Sequence, residues 1–267
     1  MTSFEMPSLR CTELSWSQQQ NRILDQVNCE LHAGEVLALI GPNGAGKSSL
    51  LKALSGDITE LSGLVVLNGR SLKDWSPTEL AQQRAVMPQQ VQLDFAFKVA
   101  EVVSMGWLGP DSNARWTQLV QVMADFDISH LAQRNYLTLS GGEQQRVHLA
   151  RVWLQLLSTP NRSTTRPGYL LLDEATSSLD LAHQHQVFKL LCALAKNQNI
   201  GVLVVLHDLN LAARYADKVL LMHQGRVMAQ GLVDEVMQAE ILSETFGLAL
   251  DVCQPQDAPL MIWPARE

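Results

Sequence analysis

The sequence predicts an α/β fold: an open sheet with helices packed on it and a block of helices inserted into the chain. Three observations carry this prediction. The apolar run Val36-Leu37-Ala38-Leu39-Ile40 leads through a glycine-rich stretch into the glycine-free run Ser49-Leu50-Leu51-Lys52-Ala53-Leu54, a strand–loop–helix pattern. Two more apolar runs, Tyr169-Leu170-Leu171-Leu172 and Gly201-Val202-Leu203-Val204-Val205-Leu206, stop abruptly at Asp173-Glu174 and His207-Asp208. Between them and the first strand, residues 91–157 read as helices (99–106, 114–126 and 140–157), with a turn at Gly109-Pro110-Asp111.

Residues 8–40 contain short β-like pieces, and Ala33-Gly34-Glu35 turns into the first core strand. Trp16 stands in a polar stretch, either as a half-exposed strand aromatic or as a platform on which a flat ring stacks. Gly41-Pro42-Asn43-Gly44-Ala45-Gly46-Lys47-Ser48-Ser49 fits the phosphate-loop pattern G-x-x-x-x-G-K-[ST]. The glycines let backbone N–H groups approach phosphates, and the start of the helix adds its positive end. Lys47 reaches the β- and γ-phosphates, and the Ser48 hydroxyl ligates Mg²⁺. A chance glycine-rich turn would have neither a buried strand before it nor an apolar helix after it. Taken by itself the loop says only that a nucleoside triphosphate binds.

The run 63–69 is a strand closing in an Asn-Gly turn. Residues 77–84 form a helix with Ser76 as cap and Pro77 at its first position. Ala85-Val86-Met87 is a short buried strand, ended by Pro88-Gln89-Gln90. Ser140-Gly141-Gly142-Glu143 matches the capping box S-x-x-E. Glycines weaken a first turn, so this stretch is either a cap only or a second exposed anion site. Residues 158–168 form a polar loop.

Asp173 and Glu174 end a buried strand, where open α/β sheets place their ligands. Adjacent strand residues point to opposite sides, which leaves Asp173 for a metal and Glu174 to orient or deprotonate water. Two solvated turn acids would not follow four apolar residues. A lone strand-end histidine is often structural, but His207 shares that sheet edge with Asp173, so it is either structural or placed to sense phosphate. His183 and His185, on a helix from about 181 to 197, read as surface residues, and His32, His130, His148 and His223 have no partner pattern. A helix is expected at 208–216, a strand at 218–223 and one helix from about 233 to 246. The tail after Gly247 has three prolines and no motif.

The 267 residues suffice for one large or two small domains. A net charge of −7 argues against a nucleic-acid partner, which needs a basic face. The four cysteines show no C-x-x-C spacing, so neither a zinc site nor a redox pair is expected, and scattered thiols suit a reducing compartment. The first residues lack the basic-then-apolar pattern of a secretory leader. No apolar run approaches the roughly 18–20 residues that span a bilayer. The expectation is a chain soluble on its own, which another chain must hold in place if it works at a membrane.

In the order of its motifs the chain resembles the ATP-binding subunits of ABC transporters over about residues 14–246. Leu139-Ser140-Gly141-Gly142-Glu143-Gln144-Gln145-Arg146 is similar to that family's signature stretch, far more specific than a phosphate loop. Asp173-Glu174 is similar to its Walker B end and Ser178-Leu179-Asp180 to its D-loop. Gln89 stands at its Q-loop glutamine, His207 at its switch histidine and Trp16 at its adenine-stacking aromatic. Ala175 departs from the usual proline and Ser178 from a common alanine.

The resemblance implies a single ATPase domain over 1–267. It would comprise a P-loop NTPase core with an N-terminal antiparallel β subdomain (about 8–90 and 165–246), a helical subdomain (about 91–160) and a tail (247–267). Two copies would close head to tail. Each ATP would lie between Trp16 and the 41–49 loop of one copy and Ser140, Gly141, Gly142 and Asp180 of the other. Lys47, Gln89, Glu174 and His207 would carry catalysis, with Glu174 polarising water and His207 on the γ-phosphate. Mg²⁺ would be held by Ser48, Gln89 and, through water, Asp173. Two membrane permease subunits would dock in the groove beside Gln89 and the helical subdomain.

Within the family the chain is similar to importers of iron chelates, haem and vitamin B12. The stretches 84–89, 95–106 and 179–184 and the loop 158–168 resemble the haem importers. This implies a motor at the cytoplasmic face of a bacterial inner membrane, served indirectly by a periplasmic haem-binding protein. The alternatives are a ferric-siderophore or vitamin B12 importer, and a soluble ABC ATPase of DNA repair or translation. The soluble class usually has a second nucleotide domain or a basic segment, and the chain has neither. A small-molecule phosphoryl-transfer enzyme would leave the signature stretch without a role.

Overall fold

The computed structural model describes residues 7–89, 91, 93–110, 113–159, 167–256 and 258–266. Most of the 158–168 loop and Asp111 of the 109–111 turn lie outside the described residues. The chain begins with two long strands, β1 (Ser8–Gln18) and β2 (Asn21–His32), rather than short pieces. Left-handed Glu13 and Gln26 (φ +50° each) accompany breaks in their register, so the pair is one bulged ribbon. The core then starts with β3 (Val36–Ile40) and α1 (Lys47–Ser55).

β4 (Ser62–Leu67) turns through Asn68 and Gly69, both with positive φ, into β5 (Arg70–Ser71). That sign is what an Asn-Gly turn of type I′ requires. In α2 (Pro77–Gln83), Ser76 and Glu79 exchange the two bonds of a capping box. β6 (Arg84–Met87) follows, then three helices, α3 (Val99–Ser104), α4 (Asn113–Asp125) and α5 (Gly141–Leu157). The remainder alternates: β7 (Gly168–Asp173), α6 (Leu181–Gln198), β8 (Ile200–Val205), α7 (Leu209–Tyr215), β9 (Lys218–His223) and β10 (Arg226–Leu232).

Strands β10-β9-β3-β8-β7-β6 lie in that order in one sheet, parallel except for β10, while β2-β1-β4-β5 form a separate antiparallel sheet. Every residue of β3, β7 and β8 is buried, as a parallel sheet covered on both faces demands. Alternation divides them between two cores. Ala38, Leu170 and Val204 pack with the helices α3–α6. Leu39, Leu171 and Val205 pack with α1 and the antiparallel sheet. All the parallel strands therefore deliver their C-terminal ends to one edge, which carries the loop after β3, the acids after β7 and the histidine after β8.

One expectation about the C-terminal part is overturned. The single helix over 233–246 is instead α8 (Val233–Val236) and α9 (Ala239–Phe246), separated by an extended Gln238. Val236, Met237, Leu242 and Thr245 are all buried, yet on an unbroken helix they would point all round the axis. Breaking the helix lets both halves face the core. In the tail, for which the sequence carries no structural expectation, β11 (Leu250–Cys253) pairs with β12 (Met261–Pro264). The Asn210 side chain on α7 clamps this hairpin, bonding the N–H of Ile262 at 2.8 Å and its carbonyl at 3.0 Å.

The helices conceal a titratable group that spacing did not flag. His148 on α5 is 4% exposed, and its Nε2 lies 2.7 Å from the Tyr136 hydroxyl. Burial, with the charge of Arg151 nearby, pushes its pKa down from 6.5 to about 4. The unfolded chain takes up that proton near pH 6.5 and the folded chain only near pH 4. Stability is therefore complete above pH 6.5 and is lost as the pH falls towards 4. Between pH 7 and pH 5 this residue is expected to remove about 2 kcal/mol. Urea unfolding at the two pH values checks it: His148→Gln should show a visibly shallower pH dependence than wild type.

Candidate active site

The glycine loop owes its shape to close backbone contacts. Gly41 has φ +147°, and a Cβ there would lie 2.1 Å from the carbonyl oxygen of Met222 on β9. Gly46 is left-handed, and a Cβ there would lie 2.9 Å from the Ile23 carbonyl. Gly225 donates to the Ala45 carbonyl at 3.0 Å, and Asp25 donates to the Gly225 carbonyl at 2.9 Å. The loop is thus tied to the β9–β10 turn and to β2. Gly41→Ala is expected to cost roughly 2–5 kcal/mol, since backbone must move to admit the methyl. A urea midpoint unchanged from wild type would refute that.

Helix α1 starts at Lys47 with Gly46 in the capping position, no side-chain cap and no acid in its first turn. Its first N–H groups are open to an anion. Lys47 is 6% exposed, and its Nζ donates to the carbonyls of Gly41 (2.7 Å) and Pro42 (2.9 Å), closing the loop on itself. Burial lowers its pKa, against the pull of Glu174 and Asp173. The Ser48 hydroxyl donates to Asp173 Oδ1 at 3.1 Å. Asp173 is 2% exposed at the end of β7, and burial raises its pKa against that hydrogen bond.

Glu174 does not continue the strand. Its φ is +52°, a left-handed conformation that side-chain-bearing residues adopt at a cost. The separation of the two carboxylates therefore comes from this turn, not from strand alternation as the sequence suggested. The turn brings Glu174 between two donors: its Oε1 lies 2.6 Å from His207 Nε2, and its Oε2 accepts from Gln89 Nε2 at 2.8 Å. Six residues predicted from sequence, Lys47, Ser48, Gln89, Asp173, Glu174 and His207, thus form one hydrogen-bonded and electrostatically linked group at the sheet edge.

Trp16 is half-buried and is the cross-strand partner of Leu24, whose side chain lies against Gly46. It packs against the core cluster that contains both Leu24 and, from the loop, Ala45. Ser140, Gly141, Gly142 and Asp180 gather elsewhere. Ser140 caps α5, bonding Glu143 in both directions. Gly142 packs against Ser178, where a Cβ would meet the carbonyl at 3.0 Å. Asp180 caps α6 and contacts His183 Nδ1 at 2.8 Å. His183 is not a plain surface residue, since its Nε2 also meets Arg146 at 3.0 Å. Spacing also missed Gln145, one turn inside α5, which bonds the backbone on both sides of the 174–178 loop. Its position three residues after Gly142 in the 139–146 stretch was the available signal.

Among the described residues no helix is long and apolar enough to cross a membrane. The family model described as ABC transporter matches residues 24–177. The hemin import ATP-binding protein HmuV of Hydrogenovibrio crunogenus is 47% identical over 256 residues, covering 95% of this chain and 99% of that one. Its namesake from Escherichia coli O157:H7 is 42% identical over 93% of this chain and 96% of its own length. A solved inward-facing structure of a protein described as a metal-chelate type ABC transporter superposes with a TM-score of 0.78 at 27% identity, covering 98% of both chains. With its phosphate loop, sheet-edge acids and signature stretch in one fold, the chain belongs to the ABC transporter family.

Proposed function

We propose that this chain is the ATP-hydrolysing motor subunit of a bacterial haem importer. The observation that carries the motor is the carboxylate of Glu174 held between Gln89 and His207 next to an uncapped helix start and a buried lysine. A carboxylate fixed by two donors has a defined orientation towards an attacking water and can accept its proton. Lys47 and the first N–H groups of α1 bind the phosphates of ATP, the remaining 41–49 residues shape that cradle, and Trp16 carries the adenine. The Ser48 hydroxyl and the Asp173 carboxylate supply hard oxygens, with the Gln89 amide nearby. That sparse set suits a Mg²⁺ ion shared with substrate phosphates. When bound, Mg²⁺ neutralises phosphate charge. His207 stands ready to bond the γ-phosphate.

The exposed helix start at Ser140, Gly141 and Gly142, with Asp180 beside it, serves the nucleotide of a second copy, so the working unit is a homodimer. Two permease subunits engage it through the groove beside Gln89 and the helices α3–α5. A periplasmic haem-binding protein acts on the far side of the bacterial inner membrane, with this chain on the cytoplasmic face and no nucleic acid involved. Cargo is carried by the 42–49% identity to hemin import proteins over 85–95% of this chain. Likeness to a metal-chelate type transporter supports a second reading, a ferric-siderophore importer.

Growth of a deletion strain on haem as sole iron source separates the two, with ferric siderophore and vitamin B12 use tested in parallel. Loss on haem alone, restored by wild type but not by Lys47→Ala, is expected. Normal growth on haem with loss on a siderophore would keep the motor and replace its cargo.

A further inference from the structure

The loop from Glu174 to Ser178 is bridged end to end by one side chain. Gln145 Nε2 donates to the Glu174 carbonyl at 3.1 Å, and Gln145 Oε1 accepts from the Ser178 N–H at 3.0 Å. Gln145 is 9% exposed. Its two partners fix its chemistry: a carbonyl must be given a hydrogen, and an N–H must be offered a lone pair. Among side chains of this length only a primary amide does both. Glutamate would lose the donor and lysine the acceptor.

What the bridge holds is an unfavourable backbone. Glu174 is left-handed at φ +52°, and that single torsion carries its carboxylate to His207 and Gln89. The rest of the loop is fastened as well. The Ser177 N–H and hydroxyl both donate to the Glu174 carbonyl, at 3.2 and 3.1 Å. Gln184 Nε2 donates to the Thr176 carbonyl at 3.0 Å. These bonds come from within the loop or from α6. Gln145 alone among them reaches from α5, the helix whose first turn carries Ser140, Gly141 and Gly142.

We infer that Gln145 is a positioning residue for ATP hydrolysis: it holds the Glu174 backbone in the turn that aims the carboxylate, without touching nucleotide itself. This rests on the assignment of Glu174 as the base. It makes the aim of the base depend on where α5 stands. Any displacement of that helix relative to the sheet pulls directly on the Glu174 carbonyl.

A double-mutant cycle with Glu174→Gln tests this, since residues acting through one another do not add. The readouts are the kcat and KM of the assembled ATPase, a single-turnover rate for the slow variants, ATP affinity and Tm. Gln145→Ala is expected to lower kcat about 10- to 100-fold, the size of a small misplacement of a reacting group. ATP affinity should stay within about twofold. In the Glu174→Gln background the same substitution should change the residual rate less than about twofold, because the group it aims is already disabled. Should Gln145→Ala fold poorly, the isosteric Gln145→Glu keeps the acceptor, loses the donor and should show the same pattern. An equal loss in both backgrounds, or a wild-type kcat for Gln145→Glu, would overturn the inference while leaving the base in place. Wild-type hydrolysis by Glu174→Gln would overturn both.

Discussion

Glu174→Gln is expected to bind ATP normally and to hydrolyse it about 10²- to 10⁴-fold more slowly, the usual weight of a general base. The substitution keeps the shape of the side chain and removes its capacity to take a proton. It also replaces one acceptor with a donor where two donors already converge, Gln89 at 2.8 Å and His207 at 2.6 Å. The Gln89 amide can turn to meet the change, so the fold should survive and Tm should stay close to wild type. Phosphate release by the dimer, measured beside ATP affinity, decides the matter. Near wild-type release would remove Glu174 from its role.

Lys47→Ala should abolish the response to nucleotide without weakening the empty protein. Lys47 is buried, and desolvation already disfavours its charge. Its two bonds go to loop carbonyls that a phosphate-bound lysine would release. Wild type with ATP at 100 times its dissociation constant should gain about 2.7 kcal/mol, or roughly 5–10 °C in Tm for a chain of this size. The variant should gain less than about 2 °C while its Tm without nucleotide equals or exceeds that of wild type. A Tm that drops without nucleotide would make Lys47 a structural residue first.

The part of this molecule that sequence makes legible is the part where chemistry and local structure coincide. A phosphate loop needs its glycines, its lysine and its helix in one short stretch, and a buried parallel strand announces itself by an unbroken apolar run. Asp173 and His207 could be found because each ends such a run. What stayed hidden depends on residues far apart in the chain. The left-handed turn at Glu174 has no glycine to mark it. Gln145 bonds backbone 29 and 33 residues away. His148 meets Tyr136 only because α5 packs beside the turn before it. The strands β11 and β12 are four residues each, with prolines between them and at the end of β12, and are held by an asparagine on α7. The break between α8 and α9 follows from where the core lies, which periodicity within one segment does not report.

The sheet order has a consequence for how the chain is made. Strand β3, which presents the phosphate loop, pairs only with β8 and β9, and both begin at or beyond residue 200. Gly41 leans on Met222 for the same reason. While the chain is being synthesised, the loop residues emerge early but have no sheet to stand on until β8 and β9 follow, roughly 160 to 180 residues later. Contacts so distant in sequence form slowly, and the half-made chain meanwhile exposes apolar strands. Nucleotide cannot rescue that interval, because the cradle it recognises does not yet exist. ATP binding is therefore expected only once the chain has been made through the β9–β10 turn, whose Gly225 bonds the loop.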